Sequence, residues 1–130
     1  MRRLFAAFDG VNLDDLERRF DEVQEILDPE VEWIAVPHSL LASESYRGYE
    51  GVRRFWTQFL SASDEYRVEV EELIDAGDQV VASLRLTMRT RGLEVDESRA
   101  SLVTLRDRRI VRIEGFASKD GALEAAGVND

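Results

Sequence analysis

Apolar residues recur at helical spacing in three stretches of the chain. The most regular stretch follows Asn12, a typical N-cap residue, and its apolar positions are four, three and four residues apart. These positions are Leu16, Phe20, Val23 and Leu27. We predict that this helix ends at Asp28–Pro29, because the residue before a proline is disfavoured in the α region.

The other helical stretches lie on either side of this one. An opening helix over residues 4–8 is predicted to stop at Gly10. A third helix is predicted to begin near Glu50, with an apolar face typical of an amphipathic helix packed on a core. That face consists of Val52, Phe55, Trp56, Phe59 and Leu60. Between the second and third helices, residues 31–36 predict a short strand that carries Trp33, and residues 37–48 predict a loop.

The second half of the chain alternates apolar and polar residues from Tyr66 to Ala117, which is the pattern of half-buried strands. Turn residues divide this region into four antiparallel strands. The turns lie at residues 76–78, at Gly92 and at residues 107–109. On the last strand, Val111 and Ile113 are predicted to share a face. Residues 120–127 predict a small closing helix.

Helices that are segregated from an antiparallel sheet form an α+β fold. We expect one domain over residues 1–130, with the helices packed against the concave face of a curved antiparallel sheet. Acidic residues dominate positions 61–79 and arginines dominate positions 80–118. This distribution predicts neighbouring strands that pair opposite charges on their solvent face.

Composition narrows the functional classes. The chain has 130 residues, 17 basic and 27 acidic side chains, and a net charge of −10. This charge argues against nucleic-acid binding, which depends on clustered Lys and Arg. No apolar run reaches the roughly 20 residues of a membrane span, and no signal-peptide pattern is present, so we expect a cytoplasmic protein. One histidine and no cysteine leave no metal set, and no cofactor-binding motif occurs, so we expect no metal and no cofactor.

Four segments, in order along the chain, are familiar: residues 27–33, 46–56, 74–81 and 122–128. Together they resemble the SnoaL-like branch of the nuclear transport factor 2-like superfamily. The resemblance implies a cone-shaped α+β barrel with an internal cavity, often paired as a homodimer through the outer sheet face. It does not imply one reaction, because the superfamily includes polyketide cyclases, ketosteroid isomerases, epoxide hydrolases and cavity proteins of unknown role.

The resemblance also implies that most reactive acids of the superfamily are missing here. Their positions correspond to Ala35 and Ser101 for ketosteroid isomerases, to Leu84, Leu86 and Gly115 for epoxide hydrolases, and to residues 116–118 for cyclases. Hydrocarbon side chains at such positions favour an apolar ligand. A serine hydroxyl at position 101 can still donate a hydrogen bond, although it stabilises an oxyanion less than a tuned acid does.

Three residues remain as catalytic candidates: His38, Glu97 and Ser101. His38 is the only histidine, and it is either a general base at the pocket mouth or a surface loop residue. Glu97, Arg99 and Ser101 are two positions apart on one predicted strand, so their side chains point to the same face. Together they form either an inward polar cluster or a solvated strand end.

The predicted ligand-binding residues are mainly aromatic and aliphatic. They are Trp33, Tyr46, Phe55, Trp56, Phe59, Leu84, Leu86, Ser101 and Ile113. The alternative is that most of them are core. The hydroxyl of Tyr46 or Tyr49 can bond a ligand carbonyl, or Tyr49 can fix the entry to the third helix. The sequence therefore predicts a cavity protein for a small apolar molecule, with two alternatives: a cyclase- or isomerase-like enzyme with non-standard residues, and a structural dimer with a filled cavity.

Overall fold

The computed structural model describes residues 9, 14–34, 45–61, 65–90 and 92–127. Within them the chain forms three α-helices and one six-stranded sheet. The helices are α1 Leu16–Val23, α2 Gly48–Ser61 and α3 Lys119–Ala125. The strands are β1 Leu27–Ile34, β2 Ser45–Arg47, β3 Glu65–Ala76, β4 Gln79–Thr90, β5 Leu93–Arg106 and β6 Arg109–Phe116. The α+β class and the amphipathic helix near Glu50 are confirmed.

The sheet is curved and mixed, and its strand order is β2-β1-β6-β5-β4-β3. Strands β3 to β6 form the predicted antiparallel meander. The prediction of a fully antiparallel sheet is wrong, because β1 runs parallel to β6. No hairpin joins these two strands, so no tight turn forces them to be antiparallel. Strands β2 and β3 are the edges, and the sheet is therefore an open cone rather than a closed barrel.

The main core lies on the concave side of the sheet, which we call the inner face. Helices α1 and α2 pack there and bury Phe20 and Val52 completely. The inner face itself contributes Trp33, Val68, Leu84, Val103 and Ile113. Complete burial of a side chain such as that of Phe20 contributes about 1.5–3 kcal/mol, so the helices and the inner face stabilise each other.

A smaller core lies on the opposite side, the outer face. Val81, Ala100 and Leu102 are buried there beneath Ala122 of helix α3. The Ser118 hydroxyl begins this helix by accepting a hydrogen bond from the backbone N–H of Gly121 at 3.2 Å, as an N-cap does. The helix predicted at residues 120–127 is thus confirmed and covers the apolar part of the outer face.

Two β-bulges change which side chains face the core. Val111 is the extra residue of β6, between the pairs Ile110–Leu105 and Arg112–Thr104. Beyond a bulge the alternation shifts by one residue. Ile110 and Ile113 therefore share the core, and the prediction that Val111 faces the same way as Ile113 is wrong. Glu71 is the corresponding extra residue of β3.

Two element boundaries also differ from the sequence prediction. Helix α1 stops at Val23, a single 3₁₀ turn follows, and Leu27 already begins β1. The reason is tertiary, because Leu27 pairs with Ile110 of β6 and its carbonyl accepts a 2.9 Å hydrogen bond from the Tyr49 hydroxyl. The predicted loop before helix α2 contains strand β2 at its end.

The opening helix over residues 4–8, the Asn12 cap, and positions 35–36 of the predicted strand lie outside the described residues. In the described ranges, no helix has both the length and the apolar character needed to cross a membrane.

Candidate functional site

An aromatic cluster, which we call the aromatic wall, faces the inner side of the sheet. It consists of Trp33, Tyr46, Phe55, Trp56, Phe59 and Tyr66. Trp33 stacks on Phe55 with ring centroids 5.3 Å apart. Trp56 meets Tyr66 edge to face at the same separation. The wall therefore runs without a break from strands β1 and β2 across helix α2 to the edge strand β3.

Burial divides the predicted ligand-binding residues into two groups. Six of them are at most 9% exposed and belong to the main core: Trp33, Tyr46, Phe55, Trp56, Leu84 and Ile113. The other three, Phe59, Leu86 and Ser101, are only partly buried. These three are the predicted residues with surface left for contact with another molecule.

The tyrosine hydroxyls have different roles. Tyr46 donates a 2.8 Å hydrogen bond to Oε1 of Gln58. Tyr49 donates a 2.9 Å hydrogen bond to the Leu27 carbonyl at the start of β1. The Tyr66 hydroxyl makes no hydrogen bond within the described part of the chain. Burial, with a contribution from the nearby Asp9 carboxylate, raises the pKa of Tyr66, so this hydroxyl stays protonated.

Sequence reasoning did not select Tyr66 as a site residue. The sequence pattern that could have identified Tyr66 is its spacing of two residues from Val68 and four from Val70, which places all three on the inner face. Asp9 was not selected either. It accepts hydrogen bonds from Arg67 Nε at 2.9 Å and from the Val68 backbone N–H at 3.0 Å. Burial alone would raise the pKa of Asp9, but these bonds and the charges of Arg67 and Arg19 lower it overall.

Glu97, Arg99 and Ser101 lie on the inner face. Each stands directly opposite an apolar residue of β4, and such partners share a face in an antiparallel pair. The partners are Leu86, Leu84 and Ala82, respectively. Arg99 and Glu97 form an ion pair between Nη2 and Oε2, and their side chains are 32% and 44% exposed. The pair thus lies on the inner face and keeps much of both side chains in contact with water.

Beside this pair, the inner face carries Ser101. Ser101 stands opposite Gly115 of β6, which contributes no side chain next to the Ser101 hydroxyl. The hydroxyl makes no hydrogen bond to any residue that the structure describes. We call Arg99 and Ser101 together the polar patch of the inner face.

The resemblance links Leu84 and Leu86 to reactive acids of epoxide hydrolases. Leu84 is buried in the main core and Leu86 packs against it. Across the described ranges, every residue classed as buried in the core is hydrophobic. Ala35 and His38 lie outside these ranges. No cluster of three potential metal ligands occurs within them either.

Cross-strand ion pairs cover the outer face, as the charge distribution predicted. Arg85 binds Asp96 through two hydrogen bonds of 2.8 and 2.9 Å, and Arg89 binds Glu94 at 2.9 Å. The hydrogen bond and charge of Arg85 lower the pKa of Asp96. Arg85 and Asp96 thus provide a charge pair that matches Arg99 and Glu97 but lies on the opposite face.

The sequence matches one family model, and the fold matches several solved structures. The family model for the SnoaL-like domain matches residues 1–113. No curated protein matches the sequence. The fold is similar to that of TerC, whose crystals contained polyporic acid, with 20% identity, a TM-score of 0.75 and coverage of 97% of this chain and 94% of TerC.

Two further solved structures are similar. A putative SnoaL-like polyketide cyclase from Jannaschia sp. CCS1 is 22% identical, with a TM-score of 0.68 and coverage of 99% of this chain and 89% of that protein. An NTF2-like protein of unknown function from Burkholderia pseudomallei is 18% identical, with a TM-score of 0.75 and coverage of 95% and 91%. At these identities the likeness establishes the fold alone.

Proposed function

The chain belongs to the SnoaL-like domain family, and from this membership we propose that its inner face binds a small, flat, mainly apolar molecule. The proposed contacts are Phe59 of the aromatic wall, Leu86 of β4 and the polar patch at Arg99 and Ser101. The six buried residues of the predicted set would support these contacts from behind.

One observation carries this proposal: the aromatic wall continues to a partly exposed ring. Phe59 touches Phe55, Trp56 and Tyr66, with centroid separations of 5.2–6.0 Å. Rings held in this way lose little conformational freedom when a flat molecule stacks on them. Burial of about 200 Å² of apolar surface contributes about 5 kcal/mol before the cost of association, which suits a weak to moderate binder.

The names of similar proteins are compatible with this class of ligand. TerC was crystallised with polyporic acid, and the Jannaschia protein is described as a polyketide cyclase. Their low identity to this chain gives no basis for carrying over either ligand or reaction. The proposal therefore specifies a ligand class and not a compound.

A binding titration with the dye ANS tests the proposal. Folded protein should bind ANS saturably, and Phe59→Ala should weaken binding about tenfold or more. Phe116→Ala is the matched control, because Phe116 is also partly buried but belongs to the outer-face core. Absence of saturable binding, or equal weakening by both variants, would refute the proposal and would favour the alternative of a filled cavity.

A second candidate is an enzyme of the cyclase or isomerase kind. The observation that favours it is the Glu97 carboxylate on the inner face, where it is paired with Arg99. A carboxylate there can act as a general base toward an acidic C–H bond. Exchange of the α-protons of an added ketone with D₂O, followed by NMR, tests this reaction. Loss of exchange in Glu97→Gln but not in Asp96→Asn would support it.

Pairing of two copies through the outer face is part of the same proposal. Helix α3 already covers the apolar part of this face, so a second copy would meet mainly charged side chains such as Arg85 and Asp96. A dimer of this kind should dissociate as the Debye length falls from about 30 Å at 0.01 M salt to about 3 Å at 1 M. Sedimentation at both salt concentrations measures this, and a monomer at low salt would contradict the pairing.

A further inference from the structure

Two charged residues occupy positions of β5 where the inner face otherwise carries hydrocarbon. Along the same face of β5, Val103 is fully buried in the main core. On the neighbouring strand, the partners of Glu97 and Arg99 are Leu86 and Leu84. Charged side chains beside a core lose hydration, so such positions usually carry apolar residues unless function requires otherwise.

The donor capacity of Arg99 is only partly used. A guanidinium has five N–H donors in a planar fork. Within the described residues, its single ion-pair partner is Glu97, which Arg99 reaches through Nη2. Ser101, two residues further along the strand on the same face, adds a hydroxyl without a described partner. Its partner on β6, Gly115, contributes no side chain that could bond this hydroxyl.

We propose that Arg99 and Ser101 recognise an ionised carboxylate at one end of the apolar ligand. This inference rests on the proposed function, since the aromatic wall is taken to hold the rest of the molecule. Glu97 holds the guanidinium toward the inner face when the site is empty, and the ligand oxygens replace Glu97 as the partner of Arg99. The fork of Arg99 matches a carboxylate in two parallel hydrogen bonds.

The geometry favours an anion over a cation. Arg99 is the less exposed member of the pair and stands opposite Leu84, which is 6% exposed. Glu97 lies further from Ser101 along β5 and is more exposed to water. The second polar group of the patch is a hydroxyl, which can donate a hydrogen bond to the ligand anion.

Two probes of equal shape separate charge recognition from apolar binding. We choose 2-naphthoate, which is anionic, and 2-naphthamide, which is neutral, and measure both by isothermal titration calorimetry. The wild-type protein should bind the naphthoate about tenfold more tightly or better. Arg99→Gln should lose that preference while binding of the naphthamide changes less than about twofold. Arg85→Gln, the matched arginine on the outer face, should change neither affinity.

Two more variants distinguish recognition from a structural role. Glu97→Gln removes the competing carboxylate and should tighten naphthoate binding several-fold, whereas a purely structural ion pair predicts weaker binding. Arg99→Lys keeps the charge but loses the fork, so it should retain part of the preference even if Arg99→Gln folds poorly. Circular dichroism checks the fold of each variant.

The outcomes that overturn the inference differ from those that overturn the proposed function. Equal affinity of wild-type protein for both probes, or an unchanged naphthoate affinity in Arg99→Gln, refutes anion recognition and leaves apolar binding intact. Tighter binding of 2-naphthylmethylamine, which is a cation at neutral pH, than of the naphthoate would assign the site to cations through Glu97. If neither probe nor ANS binds, both proposals are wrong.

Discussion

Phe59 and Tyr66 meet edge to face, with ring centroids 5.2 Å apart and an interplanar angle of 85°. Phe59 lies in the last turn of α2, and Tyr66 is the second residue of β3. Their contact therefore joins the end of the helix to the edge strand of the sheet, and it completes the aromatic wall. Such ring pairs contribute about 0.5–1.5 kcal/mol beyond the area that they bury.

The Tyr66 hydroxyl should contribute little to stability, because it makes no hydrogen bond to the described residues. We expect Tyr66→Phe to change the free energy of unfolding by less than about 0.5 kcal/mol, or to raise it. Tyr49→Phe is the control, since it removes a hydrogen bond to the Leu27 carbonyl and should cost about 0.5–1.5 kcal/mol. Urea unfolding measures both, and a larger loss for Tyr66→Phe would show that its hydroxyl has a partner.

Because of the bulge in β6, Ile113 and Val111 should contribute differently to stability, whereas simple alternation would place both on the same face. Ile113→Ala should destabilise the protein by about 2–4 kcal/mol, because Ile113 is 1% exposed in the main core. Val111→Ala should cost less than about 1 kcal/mol, because Val111 is the unpaired bulge residue and is only partly buried. Thermal unfolding of the two variants tests this order, and equal losses would contradict the observed register.

The β5–β6 turn contains two residues with unfavourable backbone angles. Asp107 and Arg108 have φ values of 54° and 67°, a region that favours glycine. Arg108→Gly should therefore stabilise the protein by about 0.5–1 kcal/mol and raise the melting temperature by a few degrees.

Gly77, at the β3–β4 turn, allows the reverse change to be tested, in which a glycine with positive φ is replaced. Gly77 has a φ of 79°, and an added Cβ would meet no atom within 4 Å. Gly77→Ala should lower stability by about 1 kcal/mol through backbone strain alone. If Arg108→Gly lowers the melting temperature, the turn has some other requirement for the arginine.

Asp9 should make stability depend on pH. The folded-state pKa of Asp9 lies below its ordinary value of 3.8, so its contribution is present above that value and disappears as the pH falls through the folded pKa. Asp9→Asn should lower the melting temperature at neutral pH, and the difference from wild type should shrink as the pH falls below about 4. A pH series of melting curves measures this. Asp21→Asn, at an exposed site on α1, is the control, and a pH-independent Asp9→Asn effect would contradict the assignment.

Much of this architecture follows from local pattern. The stripe from Val52 to Leu60 is long and strictly helical, and the turns at Gly77 and Gly92 have residues suited to positive φ. These features depend on neighbours within a few positions, so reading the chain in order is enough to find them. The start of β1 at Leu27 was missed because its pairing with Ile110 connects residues far apart in sequence.

For the candidate site, sequence parity correctly indicated that Glu97, Arg99 and Ser101 lie on one side of a strand. It could not tell which side faces the core, because every strand has two faces and only the pairing of Leu84 with Arg99 distinguishes them. Simple alternation also gave the wrong face for Val111, because one inserted residue in β6 reverses which side chains face the core beyond it.

The order of residues was thus sufficient for the helices, the four-strand meander and the family, because these depend on short-range periodicity and on four ordered segments. Only the folded chain decided that β1 runs parallel to β6, that α3 covers the outer face, and that the arginine–glutamate pair of β5 lies on the inner face. Each of these is a contact between distant segments, and its free energy arises only when packing brings those segments together.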